Sequence, residues 1–149
     1  MLSRAESLRL LAAAAGGGAV GRLAVSSDGA PLLQPFNFAY VAGQVVVRVG
    51  DGLMWRRAAG RLVAFEVEGT DAGAFGPLAW SVVVRGLASP VPDDTLAAGS
   101  GAPAPLVPSP GDRLLAVRAD AVTGRRFAPR TSGVGAGTAP TPAPAGRPR

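Results

Sequence analysis

Apolar and polar residues alternate along much of the chain with a period of two, which indicates short β-strands. In the segment 61–68, for example, Val63, Phe65 and Val67 fall on one face and polar or small residues on the other. The same criteria, with turn residues as boundaries, predict six strands, at 20–26, 31–40, 44–49, 61–68, 80–89 and 112–121. Six short strands with brief connections and little helix predict a β-barrel.

Two segments depart from this pattern and predict helices. The first begins at a capping box, Ser3 to Glu6, continues with helical periodicity over 4–15, and ends at Gly16 to Gly18. These glycines are part of a literal G-x-G-x-x-G. That motif binds dinucleotides only where it follows a strand and opens a helix, so here the interpretation is rejected. The second predicted helix is short, at 52–59, and ends at Gly60.

Two stretches rich in Pro, Gly and Ala bear on the domain organisation. Residues 90–110 are predicted to form a long connection, with one helical turn near Asp94 to Ala98. From Ala128 the composition is Ala, Gly, Pro, Thr and Arg, which cannot bury enough apolar surface to fold. The prediction is one domain over 1–127 and a disordered basic tail over 128–149.

The net charge of +5 belongs mainly to the end of the chain. All fifteen basic residues are Arg, and the five from Thr123 onward have no acidic neighbour there; they are Arg125, Arg126, Arg130, Arg147 and Arg149. Nucleic-acid binders more often carry a basic stripe on the folded body. We therefore expect no nucleic-acid partner for the barrel.

Absent residue types restrict the chemistry further. The chain has no His, Cys or Lys, which excludes nitrogen–sulfur zinc sites, Ser-His or Cys-His nucleophiles and Schiff bases. No metal is expected, and an enzyme of this composition would depend on a cofactor. The longest apolar stretch, Leu10 to Val20, is shorter than the ~20 residues that cross a bilayer. Without disulfides or a membrane segment, a cytoplasmic protein is predicted.

Taken in order, five segments resemble one known family. They are the helix "LSRAESLRLL", the strand "VGRLAV", then "PLLQPFNFAY" with Pro35 and Asn37 in a Pro-x-Asn pattern, then "VVVRVGDG", and finally "WSVVVRG" before "VRADAVTGRRF". Over Leu2 to Phe127 the chain resembles the pyridoxamine 5′-phosphate oxidase-like family, in particular its small actinobacterial members. That resemblance implies a mainly β, six-stranded antiparallel split barrel of Greek-key type with an N-terminal helix.

The resemblance also implies a homodimer with FMN in the cleft between two barrels. Gln34 to Asn37 would border the isoalloxazine ring, Arg48 would meet the phosphate, and Trp80 and Ser81 would line the same cleft. The full set of implied cofactor-binding residues is Gln34, Pro35, Phe36, Asn37, Arg48, Gly50, Gly52, Arg57, Trp80 and Ser81. Several have simpler interpretations as well: Arg48 as a solvated strand residue, Asn37 as a turn residue, and Trp80 as part of a core or an interface.

The chain departs from the family at the phosphate loop. Where relatives carry Ser or Thr followed by Lys, this chain has Leu53 and Met54. Asp51 places a carboxylate close to the expected phosphate, which disfavours an anion there. Arg57 is three residues past Met54, on the same helical face, and is a candidate to replace the missing Lys.

Three functions follow as hypotheses. The first is an FMN-dependent oxidoreductase acting on a small-molecule redox substrate. Its catalytic residues cannot be assigned from the sequence, and Tyr40 is a weak candidate acid or base. The second keeps the fold and uses a deazaflavin coenzyme, whose longer acidic tail needs more cations than FMN does. The third is a degenerate, non-enzymatic dimeric barrel.

Overall fold

In a computed structural model of the chain, residues 1–74, 76–92, 103–104 and 111–128 are described. They form two helices and seven strands, numbered in chain order: α1 (Arg4–Gly16), β1 (Val20–Ser27), β2 (Ala30–Val41), β3 (Gln44–Val49), α2 (Leu53–Ala58), β4 (Arg61–Gly73), β5 (Gly76–Val91), β6 (Arg113–Arg118) and β7 (Ala121–Phe127). The predicted helical turn at 94–98 and the predicted tail beyond Ala128 lie outside the described residues. Within the described ranges, neither helix has the length and hydropathy needed to span a membrane.

Six strands close into an antiparallel ring, as predicted. β1, β2 and β3 pair in sequence and β4 returns beside β1, which is the Greek-key order. β5 then pairs with β4, and β6 lies between β5 and β3. The predicted fold class, a six-stranded Greek-key barrel with an N-terminal helix, is confirmed.

The barrel is split along β5, because two strands share one edge of it. β7 pairs with the first part of β5, Ala79 to Arg85, whereas β6 pairs with its end, Ala88 to Val91. Between them, a Cβ atom at Gly86 would lie 1.8 Å from the Arg118 carbonyl oxygen, so only glycine fits at this point.

The predicted single last strand over 112–121 is wrong. The chain leaves the barrel edge after Arg118 and begins β7 at Ala121. The alternation of apolar and charged residues continues through the break, where Ala119 is buried between Arg118 and Asp120, and this continuity conceals the break in the sequence. Similarly, β4 and β5 extend through the predicted glycine-rich loop between them as one long hairpin.

The interior of the ring is filled mainly by β-branched and aromatic side chains from alternate positions. The alternation predicted at Val63, Phe65 and Val67 is confirmed, because all three are buried. The rings of Phe38 and Phe65 pack with centroids 4.9 Å apart. α1 adds Leu10 and Leu11 to this core, and α2 adds Met54 and Ala58. The helices are thereby fixed against the barrel by apolar burial.

Candidate cofactor site

The connection from β3 to α2 forms one wall of the candidate site. Gly50, Asp51 and Gly52 lead into α2, whose Met54 is 3% exposed and packs in the core. The amide of Gly52 donates to the Gly50 carbonyl at 2.7 Å, and no side chain caps the helix. The loop is therefore anchored by Met54, and one of its backbone donors is already satisfied.

A pocket of about 290 Å³ lies between this loop and β2; we call it the ring pocket. It is lined by Leu32, Gln34, Phe36, Val49, Gly50, Asp51, Gly52, Leu53 and Met54. Four of the sequence-predicted residues, Gln34, Phe36, Gly50 and Gly52, are thus brought together. Small-molecule sites usually span ~300–1,000 Å³, so one chain supplies a pocket at the lower end of that range.

Strand alternation places other predicted residues on the opposite, outer face of the barrel. Side chains on β2 and β3 point alternately inward and outward, and Phe38 and Val47, which pair with each other, are buried inside. Asn37 directly precedes Phe38, and Arg48 directly follows Val47. Both therefore lie on the outer face, as does Pro35. The Asn37 Nδ2 donates to the Ala104 carbonyl at 3.1 Å, so this face is in contact with the β5–β6 connection.

Trp80, Ser81 and Arg57 are not among the described residues that line the ring pocket. Trp80 is buried in the core, and its Nε1 donates to Asp71 at 3.2 Å. Ser81, on the outer face, is paired across the sheet with Glu68 and Arg125. Arg57 forms an ion pair with Asp28 of the β1–β2 turn. Contacts of these residues with a cofactor stay predictions.

The strongest feature that sequence reasoning missed is Arg113, at the start of β6. Its guanidinium lies 3.6 Å from the Asp51 carboxylate, and both side chains are about half exposed. It also lies over the indole of Trp55, with its Cζ 5.1 Å from the ring centroid. Nothing in the sequence near Arg113 indicates these contacts, because β6 is brought to the loop only by its pairing with β3.

A second pocket, of about 420 Å³, lies next to Arg113; we call it the Trp55 pocket. Its lining is Trp55, Pro90, Val91, Pro92, Arg113 and Leu114. Asp51 lines the ring pocket and Arg113 lines the Trp55 pocket. The Asp51–Arg113 pair therefore connects a lining residue of one pocket with a lining residue of the other.

The ring pocket fits a flavin ring better than it fits a phosphate. Leu32 and Phe36 offer apolar surface to a flat ring, and the amide of Gln34 can pair with a ring edge. At the loop, Asp51 repels a phosphate, and Met54 cannot approach one because it is buried. Arg113 is a nearby cation, but it pairs with Asp51. It would have to leave that carboxylate before it could pair with a phosphate.

A separate charged cluster lies on the outer face, across β1 and β4. Arg22 pairs with Glu66 and with Glu68, each at 3.2 Å. Burial raises the pKa of the Glu66 carboxyl above its ordinary value, and this effect exceeds the opposing hydrogen bond from Arg22. Arg22 pairs across the sheet with Pro35 of β2, and strand alternation places this cluster on the opposite face from Gln34 and Phe36, which line the ring pocket.

Comparison with known proteins gives one family and several solved structures. A model of the pyridoxamine 5′-phosphate oxidase family matches residues 3–126. A protein from Mycobacterium smegmatis named as FAD-binding is 30% identical, with a TM-score of 0.65, over 85% of this chain and 95% of that one. A FAD-binding protein from Mesorhizobium loti is 25% identical, with a TM-score of 0.61, over 85% and 96% of the two chains.

A conserved protein of unknown function from Corynebacterium diphtheriae is 27% identical, with a TM-score of 0.64, over 85% of this chain and 96% of that one. No curated protein sequence matches the chain.

Proposed function

Because the chain belongs to the pyridoxamine 5′-phosphate oxidase family, we propose that it is a flavin-binding protein and an oxidoreductase that uses the bound flavin. The observation that carries this proposal is the family match over residues 3–126, together with the 30% identical FAD-binding protein from Mycobacterium smegmatis. The proposal concerns the FMN moiety, which FMN and FAD share.

The ring pocket supports this function through the residues it brings together. Phe36 and Leu32 would pack against the flavin ring, Gln34 would hydrogen-bond its edge, and the loop of Gly50 and Gly52 would lie beside the ribityl phosphate. A bound flavin supplies the electron-transfer chemistry, and the protein binds and orients it. The substrate would be a small redox-active molecule, and the predicted location remains the cytoplasm.

We propose a homodimer as the form that binds flavin. A groove of about 500 Å³ on the outer face is lined by Ala24 and Ala64, which pair across β1 and β4, with Arg85 and Asp120 also in its lining. Leu62, in its wall, is 78% exposed, and Leu33, which pairs with Ala24, is 57% exposed. Contiguous exposed apolar surface of this kind is typical of protein–protein contacts. A second copy packed on this face would cover it.

The decisive measurement is the visible absorption spectrum of the freshly purified full-length chain, followed by calorimetric titration with riboflavin, FMN, FAD and a deazaflavin coenzyme. We expect a flavin spectrum or saturable binding of FMN or FAD. A colourless protein that binds none of the flavins would overturn the proposal. Binding of the deazaflavin alone would replace it with the deazaflavin-dependent alternative.

One pair of variants ties this binding to the ring pocket. Leu53 lines the pocket and is 44% exposed, so Leu53→Glu should fold normally while placing a carboxylate beside the phosphate. We expect at least about a tenfold loss of FMN affinity. The control is Ala12→Glu, which adds the same charge on the exposed face of α1. Equal affinities in the two variants would place the flavin elsewhere.

A further inference from the structure

We infer that the Trp55 pocket is a binding site for a small aromatic carboxylate, with Arg113 pairing with the carboxylate and Trp55 contacting the ring. This site goes beyond the proposed flavin function, because the described residues that line the Trp55 pocket and the ring pocket do not overlap. The juxtaposition that carries the inference is a half-exposed cation over an indole, in the lining of an otherwise apolar pocket.

Trp55 holds the Arg113 guanidinium in place for an anion. The Arg113 Cζ lies 5.1 Å from the centroid of the indole ring. Cation–π attraction keeps a guanidinium over an aromatic face, and it uses none of the five N–H donors of the guanidinium. Arg113 is therefore held beside the pocket while its donors stay available to a ligand.

The Asp51 carboxylate marks the place where an anion meets Arg113. The contact is 3.6 Å long, longer than the ~2.7–2.9 Å of a charge-assisted hydrogen bond. Both side chains are about half exposed, and exposed pairs of this kind add little to stability. A ligand carboxylate that accepts two parallel hydrogen bonds from Arg113 would therefore replace Asp51 readily, and Asp51 would turn to water.

The rest of the lining selects an aromatic body for this ligand. The other described lining residues are all apolar, namely Trp55, Pro90, Val91, Pro92 and Leu114. Indole and proline rings offer rigid surfaces for an aromatic ring to pack against. The volume of about 420 Å³ lies within the ~300–1,000 Å³ of small-molecule sites. A rigid ring also loses less conformational freedom on binding than an alkyl chain does.

The charges around the pocket favour a carboxylate over a phosphate. Among the described residues that line the pocket, Arg113 carries the only positive charge. Phosphate sites usually combine arginines with backbone N–H groups at a helix start. The nearby Asp51 carboxylate would repel the second negative charge of a phosphate. A carboxylate has a single negative charge, which matches the single cation.

The test is an NMR titration of the full-length protein with 2-naphthoate, followed at the indole N–H signals of its two tryptophans. Trp55→Leu assigns both signals by removing one, and Trp55→Phe does so should Trp55→Leu unfold. We expect the Trp55 signal to shift with a dissociation constant of about 1 mM or less, the scale for a ligand of this size. Trp80 is buried and donates to Asp71, so its signal should not move.

Three other ligands separate the contribution of the charge from that of the ring. 2-Naphthamide lacks the charge, whereas acetate and inorganic phosphate lack the ring. Each should bind at least about tenfold more weakly than 2-naphthoate. Hexanoate, which has the charge and a flexible apolar chain, should bind more weakly as well, because it must be ordered on binding.

Two variants locate the charge contact. Arg113→Gln should weaken 2-naphthoate binding at least about tenfold and affect 2-naphthamide much less. Asp51→Asn should tighten 2-naphthoate about threefold, because it removes the competing carboxylate. Arg118→Gln is the matched control and should leave the affinity unchanged, because Arg118 ends the same strand and is similarly exposed.

Each outcome supports or overturns the site. The inference is overturned if 2-naphthoate does not shift the Trp55 signal, or if Arg113→Gln leaves its affinity unchanged. Acetate or phosphate binding as tightly as 2-naphthoate would mean a plain anion site, and equal binding of hexanoate would mean an aliphatic ligand; both results overturn the aromatic class. The flavin proposal is decided separately, by riboflavin, FMN and FAD, so either one can fail while the other stands.

Discussion

Two arginines in this barrel lie close to carboxylates and to a tryptophan, yet their surroundings differ. Arg126, on β7, contacts Glu6 at 3.0 Å and Asp71 at 2.8 Å, and its side chain is 28% exposed. Asp71 also accepts from the Trp80 indole. Arg113 contacts the Asp51 carboxylate at 3.6 Å, and its side chain is 51% exposed.

The difference separates a structural network from a binding surface. The Arg126 cluster joins α1, β4, β5 and β7, and each of its carboxylates is held at hydrogen-bonding distance. Within the part of the chain that the structure describes, the Arg126 Nε is the one buried side-chain nitrogen or oxygen without a hydrogen-bond partner. Arg113 instead lines an open pocket and holds its partner loosely. Satisfied contacts favour a role in stability, whereas loosely held ones leave a side chain available to a ligand.

The largest expected effect is on stability, from Arg126→Met. Removing the guanidinium leaves the Glu6 and Asp71 carboxylates without their cation while they remain partly buried. We expect the free energy of unfolding to fall by about 2 kcal/mol. Urea denaturation followed by tryptophan fluorescence measures this.

Arg113→Met is the matched control for that experiment. Loss of an exposed ion pair and a cation–π contact should lower the free energy of unfolding by less than ~1 kcal/mol. If the two variants lose equal stability, the distinction between a structural and an available arginine fails.

A smaller effect is expected from Asp51→Asn, which removes the carboxylate beside the proposed phosphate position. FMN and FAD should bind at least about threefold more tightly, because a like charge is removed. Riboflavin, which carries no phosphate, serves as the control ligand and should bind unchanged. Equal tightening of all three would show that Asp51 acts on the ring or the fold, not on the phosphate.

The smallest effect is expected from Glu66→Gln on the outer face. Because burial raises the pKa of Glu66 in the folded state, folding favours its protonated form. Its contribution to stability is fully present below the ordinary pKa of 4.5 and is lost as the pH rises through the raised pKa. Glu66→Gln should therefore stabilise the protein slightly at neutral pH, by less than ~1 kcal/mol, and not at about pH 4.

Urea denaturation at the two pH values checks this. The control is Glu68→Gln. Glu68 is the other carboxylate that pairs with Arg22, and its side chain is 61% exposed. A gain that is equal at both pH values would mean that ionisation of Glu66 is not the cause.

Local patterns in the sequence were sufficient for most of the elements. β3 begins and ends where predicted, at Gln44 and Val49, and α1 begins at Arg4 as its capping box indicates. Strand period and helix caps depend on neighbouring residues, which explains this agreement. The division of the last predicted strand into β6 and β7 is not visible in the sequence, because it depends on which part of β5 each segment pairs with.

The candidate site was predictable only in part. Gln34 and Phe36 line the same pocket as Gly50 and Gly52, since the hairpin of β2 and β3 is local in sequence, and their contact with a cofactor stays a prediction. The same alternation separates them from Pro35 and Asn37, which the sequence prediction had grouped with them. Arg113 was missed because its contacts with Asp51 and Trp55 come from distant parts of the chain.

The sequence by itself determined the barrel: the period of two, the turn residues and the apolar content allow few other ways to bury these strands. It also excluded histidine, cysteine and lysine chemistry, because residues that are absent cannot act. Only the tertiary structure decided which arginine is held by carboxylates on two sides and which lies open beside two pockets. That distinction depends on distances and exposure between segments far apart in the chain, and no local pattern encodes those.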